Sequence, residues 1–283
     1  MDRKPSIEIF DSVIESIQKR TGRPEMPTGL KNLDDLIWGI HPKELTIIAA
    51  RPSQGKTSLA TQIAWNLASA CPVLFLSLEM SSESVMERVF CNEMELNGWK
   101  LRTGDARQQA LDMQDRFKSR LLSKSFEISE MGKTKDQVEI VLKDYSPRAV
   151  FVDHLQRISS LGYHSKFEAL SDYISSMKEF AIRYDCAMVV CSQINRGGSR
   201  EENAMDFLKG TGESEEAADT LLQCNWIGRE DESLPMEKYK VSVIKQRHGP
   251  TDNTFLSFKV GSYKFTDWME KFDGPKADKK WFD

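Results

Sequence analysis

Between residues 45 and 192 the chain alternates short apolar runs with stretches whose apolar positions recur every three or four residues. The runs at 45–50, 73–78, 126–129, 149–153 and 187–192 have the length and composition of strands. Between them, 57–70, 83–97, 135–145 and 166–184 carry the repeat of amphipathic helices. Such alternation predicts a mostly parallel, twisted sheet with helices on both faces. After Ala218 the texture changes. Residues 220–226, 239–246, 254–260 and 263–265 read as successive strands, with turns at His248-Gly249-Pro250 and Gly261. They extend the sheet at one edge, in part antiparallel. Residues 98–125 are polar and helical in texture. Ahead of all this, 5–20 read as a helix with Ile7, Phe10, Val13, Ile14 and Ile17 on one stripe. Thr21-Gly22-Arg23-Pro24 ends it, and Pro27 follows. The stripe packs either on its own domain or on a neighbouring subunit. These boundaries divide the chain into a helix and linker (1–27), a main α/β domain (28–268) and a charged, frayed tail (269–283) that holds Trp281 and Phe282.

Composition narrows the class. At 283 residues the chain buries a full core without disulfide staples. Its 40% hydrophobic and 29% charged residues exclude a disordered chain, and no uncharged run is long enough for a spanning helix. Asp2, Arg3, Lys4 and Glu8 leave no apolar stretch for a signal peptide. The expectation is a cytoplasmic protein, in the host cytoplasm if the source is viral, without a membrane partner. A net charge of −4 excludes coating nucleic acid by overall positive charge. It leaves room for a local basic site or a channel built from several subunits. The five cysteines include no Cys-x-x-Cys pair and read as reduced, buried thiols. The four histidines are too scattered for a zinc site.

The chemistry concentrates at the carboxyl ends of the apolar runs. Ala49-Ala50-Arg51-Pro52-Ser53-Gln54-Gly55-Lys56-Thr57-Ser58 joins a strand to a helix, the context of a phosphate-binding loop. The backbone N–H groups of Arg51, Ser53, Gln54, Gly55, Lys56, Thr57 and Ser58 would cradle phosphates beside the positive end of the helix. Lys56 would contact the β- and γ-oxygens, Thr57 would place its hydroxyl on Mg²⁺, and Gly55 allows close backbone approach. The first glycine of the general pattern is Ala50 here. Asp153 ends the run at 149–153 and would hold Mg²⁺ through its water shell. Glu79, after the run at 73–78, suits a general base that orients and deprotonates an attacking water.

Five ordered motifs then coincide: Ala50 to Thr57, Ser77-Leu78-Glu79-Met80, Val152-Asp153-His154-Leu155-Gln156, Ser192-Gln193-Ile194-Asn195-Arg196, and Lys245-Gln246-Arg247-His248-Gly249-Pro250. Together they resemble the DnaB-type replicative helicases, in the RecA-like ATPase domain of those hexameric motors. The resemblance implies a RecA-like three-layer fold, with ATP and Mg²⁺ bound and ATP hydrolysed. It implies movement 5′→3′ on single-stranded DNA and unwinding of duplex during replication. It implies Lys56, Thr57 and Asp153 at phosphate and metal, Glu79 as base, and Gln193 as the sensor of the γ-phosphate. Lys245 and Arg247 become the pair that a neighbouring subunit inserts into the ATP site. The segment 195–212 becomes the DNA-facing loop, with Arg196, Arg200, Lys209 and Gly210 on the strand. Its charges cancel through Gly210, since Arg196, Arg200 and Lys209 stand against Glu201, Glu202 and Asp206. A ring could still gather several copies onto one phosphate backbone.

The chain departs from the family in three respects. Lys209 stands where relatives generally have arginine, and His154 where they commonly have tyrosine. Relatives also carry a separate N-terminal domain, whereas residues 1–20 alone precede the linker here, as in a compact form or an isolated motor. The first helix matches the linker helix that docks on the adjacent subunit in such rings. A homo-hexamer, single-stranded DNA and replication partners such as primase, loader or polymerase are implied. Two other readings share the same core: a RecA-like recombinase filament protein, and a regulatory ATPase that binds single-stranded DNA without unwinding.

Overall fold

The computed structural model describes residues 5–18, 20–194, 217–231, 234 and 236–269. Arg196, Arg200, Lys209, Gly210 and the pair Trp281-Phe282 lie outside the described residues.

The apolar runs form strands at nearly the expected boundaries: β1 (Leu45–Ala50), β2 (Val73–Ser77), β3 (Phe126–Ser129), β4 (Ala149–Asp153) and β5 (Ala187–Gln193). Together with β6 (Thr220–Asn225), β7 (Lys238–Gln246), β8 (Asn253–Lys259) and β9 (Lys264–Asp267) they make one sheet in the order β3-β2-β4-β5-β1-β6-β7-β8-β9. From β3 through β6 every pairing is parallel, while β6–β7, β7–β8 and β8–β9 are antiparallel. The late strands thus extend one edge as expected, but β6 itself joins β1 in parallel and places β1 inside the sheet.

The helices are α1 (Ser6–Gln18), α2 (Lys31–Ile37), α3 (Lys56–Leu67), α4 (Ser82–Met94), α5 (Gly98–Thr103), α6 (Arg107–Leu122), α7 (Lys135–Tyr145) and α8 (Lys166–Arg183). The polar stretch 98–125 resolves into α5 and α6. Two short pieces carry too little periodicity to be read from sequence: α2, with Leu33 and Ile37 buried, and the single turn Ile227–Glu230.

All six residues of β1 are buried, because the sheet is covered on both faces. The two-residue period of the strand divides them. Ile48 and Ala50 join Phe75, Phe151, Val189 and Leu222 beneath α2 and α3. Leu45, Ile47 and Ala49 join Leu76, Val152 and Val190 against Leu142 of α7 and Ile174 and Met177 of α8. A smaller cluster, Trp65, Val89, Met94, Leu96 and Phe117, seats α6 on α3 and α4. The cysteines are unpaired thiols, four buried and Cys71 half-buried. Burial pushes Cys91 up to about 11 and Cys186 up to about 12, which keeps both protonated and inert. Among the described residues no helix is long and apolar enough to cross a membrane.

Helix α1 contributes nothing to these clusters. None of its residues is buried, and Ile7, Ile9, Phe10, Val13 and Ile17 are all exposed. The two positions Ile48 and Ile17 therefore make a direct contrast. Replacing Ile48 by alanine should cost about 2–5 kcal/mol in urea unfolding of the chain. Ile17→Ala should cost less than about 0.5 kcal/mol when the chain is dilute.

Candidate nucleotide site

Strand β1 delivers the loop 51–55 to the carboxyl end of the sheet, and α3 leaves from it. Gly55 sits at the helix N-cap with φ 81°, and no side chain of a described residue caps the helix. The N–H groups of the first turn are thereby left to an anion, with the helix dipole behind them. A β-carbon on Gly55 would stand 3.1 Å from the Phe258 ring. That ring is stacked on Phe265 at 4.3 Å and edge-on to Trp226 at 5.1 Å, an aromatic floor that holds the loop from below.

Lys56 turns inward. Its Nζ lies 3.1 Å from Oδ1 of Asp153, with both groups buried. The sheet order makes this pair possible: β4 is separated from β1 only by β5, about 10 Å in two strand steps. A lysine stem spans that gap. Thr57 is half-buried beside them in the same turn of α3. Hydroxyl and carboxylate are hard oxygen donors, and Mg²⁺ takes one or two such protein ligands together with substrate phosphates and water. The donor set at Thr57 and Asp153 therefore fits Mg²⁺.

The remaining loop residues divide by role. Arg51 is half-buried, Ser53 is exposed and Ser58 is buried in the first turn of α3. Gln54 points away from the cradle. Its Oε1 accepts from the Trp226 N–H at 2.6 Å and its Nε2 donates to Glu230 at 2.9 Å. Arg229 donates to the Ser53 carbonyl at 3.0 Å. The turn Ile227–Glu230 thus straps the loop in place, a role without any local sequence signal.

Glu79 lies two residues past β2, at the same end of the sheet as Asp153, and the Leu78 N–H bonds the Asp153 carbonyl at 2.7 Å. Its carboxylate is held twice, by Nη2 of Arg157 at 2.6 Å and by Nε2 of His154 at 2.7 Å. Partial burial alone would raise this carboxyl. The Arg157 hydrogen bond and the His154 and Arg157 charges outweigh it and hold the group below its ordinary value. Gln193 ends β5, half-buried, in the strand between Lys56 and Asp153.

The opposite end of β1 holds a second constellation. Asp219, buried at the start of β6, accepts from the Leu45 N–H at 2.8 Å and from Lys178 of α8 at 2.6 Å. Its Oδ1 faces Nε of Arg247 at 3.4 Å, and its carbonyl accepts the Arg247 N–H at 2.9 Å. Arg247 lies one residue past β7, while Lys245 pairs with Leu221 inside the strand. The structure therefore brings Lys56, Thr57, Asp153, Glu79 and Gln193 together and sets Lys245 and Arg247 at the far end of the sheet. Six residues of β1 lie between the two ends, roughly 20 Å of strand.

A β1-loop-α3 cradle, an acid on the second strand over and a second carboxylate beside it are the arrangement of a phosphate-loop domain. Comparison with known proteins places it further. The family model for the DnaB-like helicase C-terminal domain matches residues 25–267, and the chain belongs to that family. A probable plasmid replicative DNA helicase of Chlamydia trachomatis is 30% identical over 250 residues, 85% of this chain and 54% of that protein. The Bacillus subtilis replicative DNA helicase DnaC is 26% identical over 283 residues, 94% of this chain and 62% of that protein. The chain thus spans between half and two thirds of the length of these relatives. Among solved structures, an isolated ATPase domain superposes with TM-score 0.86 at 22% identity, covering 95% of this chain and all of that one. A DnaB-like replicative helicase, described with its primase interactions, gives TM-score 0.82 at 22% identity over 95% of this chain and 68% of that chain. The fold is the RecA-like α/β fold expected from the motifs.

Two outcomes test the site. Gly55→Ala combines a left-handed backbone with contact against Phe258 and should lose about 1–2 kcal/mol in chemical denaturation. The depressed Glu79 carboxyl contributes stability that is present above its unfolded pKa, near 4.5, and is lost as pH falls through the lower folded value. Arg157→Gln should move the Glu79 titration upward toward that ordinary value, read by NMR of the carboxyl carbon, and so narrow the window.

Proposed function

We propose that this chain is the ATP-driven motor of a ring-forming DNA helicase, with each ATP held at the seam between two copies. The observation that carries this reading is the placement of the two half-sites at opposite ends of β1. Arg247 cannot reach its own phosphate loop across the length of the strand, so the loop it serves belongs to a neighbour. On one side of the seam the first-turn N–H groups of α3 and Lys56 bind the phosphates. Lys56 exchanges Asp153 for phosphate when nucleotide enters. Thr57 and Asp153 would hold Mg²⁺, which when bound would neutralise phosphate charge. Glu79 leaves His154 and Arg157 to accept the proton of the attacking water. From the other side Arg247, with Lys245 behind it, stabilises charge on the transferring phosphoryl group, worth about 10³–10⁵ in rate for an arginine supplied in trans.

Hydrolysis changes the contact between copies, and the segment between Gln193 and Asp219 carries that change to single-stranded DNA through Arg196, Arg200, Lys209 and Gly210. Movement runs 5′→3′, as the family resemblance implies. Helix α1 completes the seam from a second copy. Its exposed apolar stripe has the chemistry of the groove lined by Met86, Phe90, Leu111, Phe117, Phe126 and Ile128, about 720 Å³ in volume. The primase interactions of the DnaB-like relative make a primase the first replication partner to examine.

Mixing of two dead variants tests the shared site. Arg247→Ala should bind nucleotide and fail to hydrolyse it, as should Glu79→Gln. Mixed oligomers should recover a measurable fraction of wild-type ATP turnover, because some seams pair an intact loop with an intact arginine. Absence of recovery in oligomers shown to be mixed would remove Arg247 from the reaction. Fork substrates with only a 5′ or only a 3′ arm should be unwound, with ATP, in the 5′ case alone.

A further inference from the structure

The clamp on Glu79 belongs to a longer chain of contacts. His154 touches Glu79 with Nε2 at 2.7 Å, and its Nδ1 lies 2.9 Å from Oε1 of Gln156. That same Oε1 accepts the Gln193 N–H at 3.0 Å, while Nε2 of Gln156 donates to the Gln193 carbonyl at 3.0 Å and to Oγ of Ser192 at 3.3 Å. A peptide N–H can only donate and a peptide carbonyl can only accept, so the Gln193 backbone fixes which end of the Gln156 amide is which. With Oε1 an acceptor, Nδ1 of His154 must carry the hydrogen between them, and because a carboxylate only accepts, Nε2 holds Glu79 through a hydrogen of its own, so the bridging ring carries one on each nitrogen. The imidazole is therefore oriented by the backbone of Gln193, through a single side chain, before it meets Glu79.

The local fold concentrates this linkage. His154, Gln156 and Arg157 belong to one short stretch at the 3₁₀ turn Leu155–Arg157, directly after β4. Both prongs on Glu79 leave from that turn, and the turn is tied to the end of β5 by both polar groups of one carboxamide. Hydrogen bonds of 2.9–3.0 Å do not survive a displacement of about 1 Å without rearrangement. A shift of Gln193 along or away from its strand must then carry Gln156 with it or break the link, and either event reorients His154.

We propose that His154 and Gln156 are positioning residues that hold Glu79 away from the attacking water while Gln193 rests at the end of β5, and release it when Gln193 moves. The proposal deepens the function proposed above and rests on Glu79 as the base. By linkage, whatever displaces Gln193, whether phosphate at the site or a strand on the segment that follows it, favours release of the base, and release of the base favours that displacement.

Two substitutions at one position separate the two halves of the imidazole. The amide nitrogen of an asparagine falls near Nδ1 of the ring it replaces, and that of a glutamine near Nε2. His154→Asn keeps the link to Gln156 and loses the histidine's hold on Glu79, leaving the Arg157 prong alone. His154→Gln keeps the hold and loses the link. Steady-state ATP hydrolysis is measured for both, with and without a poly-dT oligonucleotide, beside thermal melting. His154→Asn should hydrolyse ATP without DNA faster than wild type by about five- to fiftyfold, in kcat at little changed KM, and respond little further to the oligonucleotide. His154→Gln should hydrolyse it more slowly than His154→Asn and show no stimulation. Equal rates for the two variants, whether both unchanged or both reduced, would overturn the proposal, since a merely structural histidine predicts no ordering between them. Wild-type hydrolysis that poly-dT leaves unmoved would count instead against the DNA reading, and the clamp would still stand or fall on the two basal rates.

Discussion

The site depends on one ion pair formed across an intervening strand. Lys56 and Asp153 are both nearly excluded from water, and neither charge could be left there alone without a cost of several kcal/mol. The pair exists because β4, β5 and β1 are consecutive in the sheet, so the first residue of α3 can reach the last residue of β4. It sets the stage electrically as well. A lysine already desolvated against a carboxylate has little to lose by exchanging it for phosphate, and the carboxylate so released is a ready oxygen ligand for a cation. Gln193 ends the strand between the two.

A second constraint follows from the parallel arrangement. Strands that run the same way gather their carboxyl ends at one edge and their amino ends at the other. The phosphate loop, Glu79, Asp153 and Gln193 share the first edge. Asp219, Lys178 and Arg247 share the second. Asp219 is the hinge-pin of that second edge, since it binds the backbone at the start of β1, a lysine of α8 and the residue after β7. In the proposed ring the two edges of adjacent copies face one another, and α1, which buries nothing on its own domain, has an apolar groove of the next copy to fill.

Strands β1, β2, β4 and β5 were legible because they are buried on both faces and therefore nearly apolar throughout, while β3, at the sheet's edge, is only half-buried; β1, β3 and β4 fall on the expected residues. The same burial that makes Ala149 to Asp153 readable also marks the carboxylate that ends it. Helix α2 was not legible, since seven residues with two buried positions present no repeat. The chemistry divided in the same way. Lys56, Thr57, Asp153 and Glu79 sit at strand ends within recognisable runs. Gln54 belongs to such a run too, yet its side chain straps the loop to Trp226 and Glu230, a contact across more than 170 positions that no local pattern encodes. His154, Gln156 and Arg157 are adjacent in sequence, but what they hold, Glu79 and Gln193, comes from two other strands. Asp219 carried no signal beyond an acid before an apolar run.

A site completed by two copies is tested most directly by the dependence of turnover on assembly. ATP hydrolysis per chain, followed from micromolar to low nanomolar protein with sedimentation on the same samples, should fall in step with loss of the oligomer and return on reconcentration. A rate per chain that stays constant while sedimentation shows only monomers would contradict it.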